Sequence, residues 1–467
     1  MINKKFLTVI LVVTIAIIIT GCVTEPYQVP TLEVRNTETN DQNTTDIVNP
    51  PEVDPRFTIQ SDPDFREPVS MLYQAYFQGE SPVFVEENAD LLVTAVLKED
   101  MFHPNPPSHF LPGAALIAQA DSYEIIQFID FAISVEGQRL LISEGFLPEM
   151  ITLTDQAGNQ VDINLPVARV ISAYGPVTSI VYGVDGDEQM VSASYLGARD
   201  PLGSSVMEKM DPRFPGIKGD DSFSQSEFNI EEAATLDPDL IIANARSTWL
   251  ESAEQLNVPI FLYDAETPEK LKEAVLMTGQ IFGPNSSVQA QAWVHYFEAV
   301  IERIGYQVSD VPEEDLLNVL FTGTEPLRVA SGEMFQSYII DAAGGNSVTT
   351  NLVGYWNNVN MEQVVIWDPD VIIVPPYGGA SVEAITDSPE WQILDAVKEG
   401  RVYRMPKLVA PWDTPSPDAV LGIIWMAQQL YPEQVDLDCA TEAEYFYQTF
   451  FDYEITEEEL GTICSID

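Results

Sequence analysis

The chain has 467 residues, 45% of them hydrophobic, which is enough for two or three domains with cores of their own. It contains 73 acidic and 21 basic residues, a formal net charge of -52 at pH 7. Such a surface repels phosphate backbones, which argues against nucleic-acid binding, and it keeps a protein soluble in a salty or cation-rich medium.

Residues 1–22 have the pattern of a lipoprotein signal peptide. Lys4 and Lys5 precede an apolar run that is short for a membrane span, which needs about 20 residues. A basic start, a short apolar run and a small residue before the cleavage site are typical of secretory signals. Cys22 follows Gly21 directly, which predicts that Cys22 receives a lipid and becomes the mature N-terminus. The alternative is an uncleaved signal anchor, and both place the chain outside the cytoplasm, anchored to the outer face of the cell membrane.

The next two segments differ in texture. Residues 23–60 are rich in Thr, Asn, Glu, Asp and Pro and lack apolar periodicity, which predicts a disordered tether. In residues 61–149, apolar side chains recur at helical spacing from Ile125 to Ile133, and a second helical segment ends at Gly145. They predict a small, mostly helical accessory domain, similar to the closing helices of solute-binding proteins for oxyanions and ferric ions.

From residue 150 onward, short apolar strands alternate with helical stretches. Alternating apolar and polar residues around Gly158 and Asn159 predict a β-hairpin first. The strands that follow are continuously apolar, which indicates parallel sheets covered on both faces. These strands are expected at residues 169–174, 190–195, 240–243, 259–263, 318–321, 327–330, 371–374 and 401–405.

Two helices are predicted between the two sets of strands. Gly283-Pro284 breaks the helical pattern, and the second helix, here called the spine helix, runs to about Gly305, a length of roughly 30 Å at 1.5 Å per residue. The expected fold is α/β, with two Rossmann-like lobes joined by the spine helix and preceded by the helical extension. The predicted lobes and linker are the N-terminal lobe at 150–266, the linking helices at 267–306 and the C-terminal lobe at 307–467.

One stretch of sequence occurs twice. "NIEEAATLDPDLII" at 229–242 returns as "NMEQVVIWDPDVII" 131 positions later, at 360–373. The Asn is a natural helix N-cap, Asp-Pro ends the helix, and the last residues form a buried strand. These signals for the start and end of a helix do not explain Glu231 and Glu362. Their simplest interpretation is a favourable interaction with the helix dipole, worth about 0.3–1 kcal/mol.

Four blocks together resemble the substrate-binding lipoproteins of iron-chelate and cobalamin ABC importers. They read "RVISAYGPVTSIVYGV", "NIEEAATLDPDLIIA", "VPIFLYDAETPEKLKEAVLMTGQIFG" and "TPSPDAVLGIIWMAQQLYPE", and the likeness covers about 151–455. The resemblance implies two lobes on a rigid helix that close only slightly on ligand. It also implies one surface glutamate per lobe that docks onto arginines of a permease dimer, which works with ATPase subunits. Glu231 and Glu362 match those glutamates, and a two-fold partner explains why the acid is duplicated.

Ligands of open α/β sheets bind beyond the carboxyl ends of the strands. The side chains just past the predicted strands include several aromatic rings and arginines, which suit a large, flat or anionic ligand, although each ring taken singly also fits an ordinary core position. The candidate ligand-binding residues are Tyr174, Tyr195, Arg199, Arg246, Trp249, Tyr355, Trp356, Tyr377 and Trp412.

The three histidines of the chain, His103, His109 and His295, do not follow a strand of either lobe. A receptor for naked zinc or manganese normally supplies several imidazoles. We therefore predict no metal site and no cofactor, with a metal chelate or tetrapyrrole as ligand. Ferric siderophore, cobamide and haem stay open, as does an oxyanion such as molybdate.

Apart from Cys22, the chain has two cysteines, Cys439 and Cys464. If Cys22 is lipidated, their number is even and the compartment permits oxidation, which predicts a disulfide between them. Two free buried thiols are the alternative.

The sequence therefore predicts a monomeric, membrane-anchored solute receptor that delivers its ligand to an ABC permease. A chelate-processing enzyme is one alternative, but the chain lacks the G-x-S-x-G and H-E-x-x-H motifs, and no acid and base pair stands out in the cleft. A surface adhesin or structural lipoprotein is the other, since the extension at 61–149 has no assigned role.

Overall fold

The computed structural model describes residues 56–96, 108–194, 201–217 and 222–464. The predicted signal peptide, Cys22, Tyr195 and Arg199 lie outside these residues. Within the described ranges, every helix is too short or too polar to cross a membrane. The chain divides into two compact units, one made of residues up to Thr94 with Leu116–Phe131, the other of Ala95–Ala115 with Ala132 onward.

The first unit combines helices with a parallel sheet. Strand β1 (Thr58–Ser61) pairs in parallel with β2 (Val83–Phe84) and with β3 (Leu91–Ala95). Ile59 is fully buried, so the last residues of the stretch predicted as a tether form a strand instead. The extension was predicted as mostly helical, and its strands were not foreseen. The other elements before residue 150 are α1 (Arg66–Tyr76), β4 (Ser108–Leu111), β5 (Ala114–Ala118), α2 (Tyr123–Ile133) and α3 (Val135–Ser143).

The N-terminal lobe, within the second unit, begins with the predicted hairpin and continues into a parallel sheet. Its four strands have the order β11-β10-β8-β9, and all neighbours are parallel. The elements are β6 (Met150–Thr154), β7 (Gln160–Asn164), β8 (Val170–Ser172), α4 (Gly175–Gly183), β9 (Met190–Ala193), α5 (Pro201–Met210), α6 (Phe214–Ile217), α7 (Ile230–Leu236), β10 (Leu240–Asn244), α8 (Leu250–Ala253) and β11 (Ile260–Tyr263).

Two consecutive helices, α9 (Pro268–Phe282) and the spine helix α10 (Pro284–Val308), follow the first sheet. The Thr267 side chain accepts a hydrogen bond from the backbone N–H of Lys270 and caps α9. The chain turns between the helices at Gly283, whose φ of 110° suits glycine. The spine helix buries Trp293 and Phe297 in a core cluster that also contains Tyr263 and Val319, one from each lobe. The two lobes therefore share one continuous core.

The C-terminal lobe repeats the topology of the first. Its parallel sheet has the order β17-β16-β12-β14. If the four strands of each sheet are numbered one to four along the chain, both sheets have the strand order four, three, one, two. The strand predicted at 327–330 is short and pairs antiparallel with β15, outside this sheet. The elements are β12 (Asn318–Phe321), β13 (Arg328–Val329), α11 (Phe335–Ala342), β14 (Asn346–Ser347), β15 (Asn357–Asn358), α12 (Met361–Trp367), β16 (Val371–Val374), α13 (Val382–Thr386), α14 (Asp395–Lys398), β17 (Val402–Arg404), α15 (Ala419–Leu430), α16 (Cys439–Phe451) and α17 (Glu457–Ile463).

The sheets are buried because their strands are apolar on both faces. In β16 the residues Val371, Ile372, Ile373 and Val374 are all fully buried, as helices cover both sides of a parallel sheet. The predicted α/β fold with two parallel-sheet lobes and a long spine helix is confirmed. A disulfide joins Cys439, at the start of α16, to Cys464, just after α17.

Candidate functional site

Four polar side chains follow the carboxyl ends of strands in the N-terminal lobe. Tyr174 follows β8, Arg246 follows β10, and Asp264 and Glu266 follow β11. Because these strands are parallel neighbours, their carboxyl ends meet at one edge of the sheet. The two acids were missed in the sequence, although they stand directly after a predicted strand, like the residues that were chosen.

Arg246 is held by both acids. Its Nη1 lies 3.3 Å from Oδ1 of Asp264 and its Nη2 lies 2.7 Å from Oε1 of Glu266. Lys270 also binds Asp264, with Nζ 2.5 Å from Oδ2. Burial opposes the charge of Arg246, but its bond with Glu266 and the neighbouring negative charges outweigh burial and hold its pKa above the ordinary value. The guanidinium therefore carries a permanent charge that is already matched within its own lobe.

Arg246 also contacts the opposite lobe. Its guanidinium carbon lies 4.5 Å from the ring centroid of Tyr355, a cation–π distance, and Nη1 donates to the Tyr355 hydroxyl. Tyr174 interacts with the same charged groups: burial raises its pKa, Glu266 raises it further and Arg246 lowers it. We call Tyr174, Arg246, Glu266 and Tyr355 the cross-lobe cluster. It brings together three residues that were predicted from the sequence.

The C-terminal lobe adds a buried acid beside this cluster. The Tyr377 hydroxyl donates to Oδ2 of Asp413 at 2.5 Å, and Nε2 of Gln336 donates to the same oxygen at 3.2 Å. Asp413 is fully buried, and burial raises its pKa to about 6. The pKa of Tyr377 is raised well above its usual value by burial and by Asp413, with a smaller contribution from Glu266 across the cleft. Asp413 and Gln336 were missed because a buried acid cannot be recognised from residue type alone.

Two of these side chains have unused hydrogen-bonding capacity. Oδ1 of Asp413 and Oε1 of Gln336 are buried, and neither has a hydrogen-bond partner. A buried polar atom without a partner costs about 1–3 kcal/mol, so donors that reach these oxygens would be favoured. These two buried oxygens beside Tyr377 are therefore unused acceptors.

Two predicted ligand-binding tryptophans lie in the core instead. Trp412 is fully buried and its Nε1 donates to the Tyr447 hydroxyl at 3.2 Å. Trp249 is 7% exposed, and its Nε1 donates to the carbonyl of Ser224 at 2.7 Å. The prediction for these two is corrected: indoles whose N–H groups are satisfied by core neighbours present no face to a ligand in this structure.

Trp356 is half-buried and belongs to neither group. The guanidinium of Arg328 lies 5.8 Å from its ring centroid, and its ring packs against Gly323, where an added Cβ would come within 2.7 Å. The structure places it in the C-terminal lobe beside Arg328, next in the chain to Tyr355 of the cross-lobe cluster. Its role in ligand binding stays a prediction.

The repeated stretch has the same structure in both lobes. Each of its fourteen residues has the same degree of burial at 229–242 as at 360–373. The side chains of Asn229 and Asn360 cap the helices by accepting from the N–H groups of Glu232 and Gln363, at 3.1 and 2.9 Å. The helices end at Asp237 and Asp368, with left-handed φ values of 47° and 44°. Glu231 and Glu362 are both exposed in the first turn.

The described part of the chain contains no group of three or more His, Cys, Asp or Glu side chains that could hold a metal ion. The side chains brought together at the strand ends are tyrosine rings, one arginine and several carboxylates.

The chain is similar to known solute-binding proteins. A family model described as periplasmic binding protein matches residues 171–408. The molybdate-binding protein MolA of Haemophilus influenzae is 23% identical over 64% of this chain and 90% of its own length. The vitamin B12-binding protein of Vibrio parahaemolyticus is 24% identical over 56% of this chain and 88% of its own.

Solved structures agree on the fold. A periplasmic solute binding protein from Veillonella parvula, 26% identical, covers 68% of this chain and 97% of its own length with a TM-score of 0.58. The Helicobacter pylori protein CeuE with Ni(II) bound, 18% identical, covers 68% of this chain and 100% of its own with a TM-score of 0.56. The chain therefore belongs to the periplasmic binding protein family, as an extracytoplasmic solute-binding protein of an ABC importer and not an enzyme.

Proposed function

We propose that this protein is a lipid-anchored, monomeric receptor that binds a metal chelate between its lobes and delivers it to an ABC permease dimer with its ATPase subunits. The chelate is a ferric siderophore, a cobamide or haem. The observation that carries this proposal is the cross-lobe cluster, in which aromatic rings from both lobes surround one arginine. A large ligand with flat faces can contact rings of both lobes at once.

The charges at the cleft favour a chelate over a small oxyanion. Both sides of the Arg246 guanidinium face carboxylates, so an incoming anion has to compete with Asp264 and Glu266 for it. Asp413 and Gln336 add acceptors and no free donor. Amide, hydroxyl or amine groups of a chelate can donate to the partly exposed carboxylates of Asp264 and Glu266, whereas the oxygens of molybdate would be repelled by them.

Calorimetric titration tests the ligand class. The probes are cyanocobalamin, haemin, a ferric tris-catecholate and molybdate, added separately to the purified protein. One of the first three is expected to bind with a Kd of about 1 μM or tighter, and Arg246→Ala and Tyr355→Ala to weaken it about tenfold or more. Arg56→Ala is the matched control, because the Arg56 guanidinium also lies over an aromatic ring, that of Phe77, and both residues belong to the first unit. Tight binding of molybdate alone would overturn the chelate proposal.

The docking role of Glu231 and Glu362 is tested separately. Replacing both by Arg reverses the charge at these positions of α7 and α12. Uptake of the ligand by whole cells is then expected to fall by about tenfold or more, while ligand affinity is retained. The matched control replaces Glu251 and Glu383, exposed first-turn acids of α8 and α13, one in each lobe. Both double variants change the net charge equally. Equal uptake by the two double variants would refute the docking assignment.

A further inference from the structure

Helix α12 carries two exposed aliphatic side chains beside its docking glutamate. Val365 is 42% exposed and Ile366 is 75% exposed, the most of any large aliphatic side chain in the described part of the chain. They follow Glu362 by three and four positions, so all three side chains share one face of the helix. Val364, on the opposite side, is fully buried and accounts for the packing of the helix on its lobe.

The first lobe provides an internal control for this face. In α7, which has the same cap, the same left-handed end and the same pattern of burial, the corresponding exposed residues are Ala234 and Thr235. The hydroxyl of Thr235 donates to the carbonyl of Glu231 at 3.0 Å. The fold therefore forms equally well with small or polar residues at these two positions. Since scattered exposed apolar residues are ordinary, it is this contrast between equivalent positions that needs a cause.

We propose that Val365 and Ile366 form, with Glu362, a mixed apolar and acidic contact for the permease, and that the first lobe lacks its apolar part. The inference rests on the docking role proposed above for the two glutamates. The occupant is a permease surface that presents an aliphatic or aromatic side chain next to a basic one. Coverage of Val365 and Ile366 adds an attraction that scales with the apolar area removed from water and does not depend on salt.

A second copy of this chain fits the surface poorly. The chain carries a net charge of -52, and Glu362 shares the face with Val365 and Ile366, so two copies would bring like charges together beside the apolar contact. A basic partner is attracted by the same charges.

The consequence is that the two lobes dock unequally. A two-fold permease presents the same surface twice, so the difference between its two contacts is set by the receptor alone. The contact of the first lobe is purely electrostatic and weakens with salt, while that of the second lobe keeps a salt-independent part.

Two reciprocal exchanges test the proposal. Val365→Ala with Ile366→Thr gives α12 the residues of α7, and Ala234→Val with Thr235→Ile gives α7 those of α12. The wild-type chain is first crosslinked in its source cells, which identifies its permease and ATPase complex. That complex is then reconstituted in nanodiscs, and the binding of each variant to it is measured. The first exchange should weaken binding about tenfold with an unchanged dependence on salt, and the second should tighten it several-fold.

The outcomes separate this inference from the docking role itself. If the reversal of Glu231 and Glu362 abolishes binding but neither exchange changes it, the apolar contact is refuted and the docking role stands. If the charge reversal leaves binding intact, the docking role fails first. The remaining possible occupant is a second copy of this chain, which sedimentation of the purified protein tests. Self-association that the first exchange removes would overturn the proposal. A folding defect cannot mimic the gain in affinity expected of the second exchange.

Discussion

The two lobes share a topology but contribute different chemistry to the cleft. The first supplies Tyr174 and Arg246 with its carboxylate partners, whereas the second supplies Tyr355, Tyr377 and the buried Asp413. The sheets beneath them have the same strand order and the same helix, left-handed turn and strand in the repeated stretch. The scaffold is thus duplicated while the residues at the strand ends have diverged, which is where binding proteins of this architecture carry their specificity.

The largest expected effect concerns the two buried tryptophans. Trp412→Ala removes a fully buried indole from the large shared core, so the free energy of unfolding should fall by about 3–5 kcal/mol. Trp249→Ala acts on a smaller cluster of the first lobe and should cost less. Denaturant unfolding monitored by circular dichroism measures both. If Trp249→Ala were the more costly change, the size of the surrounding core would not decide the cost of losing a buried indole.

The disulfide joins the last two helices, α16 and α17, and Glu459 of α17 also forms an ion pair with Lys209 of the first lobe. Cys439 and Cys464 are 25 residues apart, and closing a loop of that size stabilises a protein by about 3 kcal/mol in the chain-entropy model. The double change to Ser should lower the unfolding free energy by about this amount without changing ligand affinity. A loss of ligand affinity in the folded variant would mean that α16 and α17 also shape the cleft.

The buried acid of the second lobe makes stability depend on pH. Asp413 titrates near its ordinary pKa of 3.8 when unfolded, while burial raises its pKa to about 6 in the folded state. The folded state holds the proton more tightly, so this contribution is complete below about pH 4 and is lost as the pH rises through 6, by about 3 kcal/mol in all.

Asp413→Asn should flatten this decline between pH 4 and 6, as measured by thermal unfolding across that range. Burial raises the pKa of Asp418 to about the same value, so Asp418 remains titratable in the variant and retains part of the dependence of stability on pH. A variant with the full wild-type slope would show that Asp413 is charged throughout.

The smallest expected effect concerns the contact between Arg246 of the first lobe and Tyr355 of the second. A double-mutant cycle of Arg246→Ala and Tyr355→Leu should give a coupling energy of about 1 kcal/mol in the ligand-free protein, the range for a partly exposed cation–π contact. Zero coupling would mean that the lobes meet only through the spine helix and the core around it.

Much of the fold could be read from the sequence because the main strands are continuous apolar runs between helical segments. The four strands at 240–244, 260–263, 318–321 and 371–374 lie within a residue of their predicted positions. The short β2 and β14, with two residues each, give no such signal. They form because neighbouring strands offer backbone partners, which only the folded chain provides.

The site was harder to predict because residue type does not reveal burial. Position after a strand identified Tyr174 and Arg246, and Tyr355, chosen in the loop before the second copy of the repeat, lies with them. The same rule, applied to polar residues as well as to rings and arginines, would have found Asp264 and Glu266. It placed Trp249 and Trp412 wrongly, because a large ring beside a strand end can turn inward as easily as toward the cleft.

The stacked pair of Trp293 and Phe297 in the spine helix has a mechanical consequence. Their ring centroids are 5.0 Å apart, and both lie in the core that the lobes share. A wide hinge motion would have to separate close-packed side chains and open cavities, at a cost of several kcal/mol. The distance between Glu231 and Glu362 is then nearly constant, so, if these residues dock as proposed, they would fit a permease of one spacing whether or not ligand is bound.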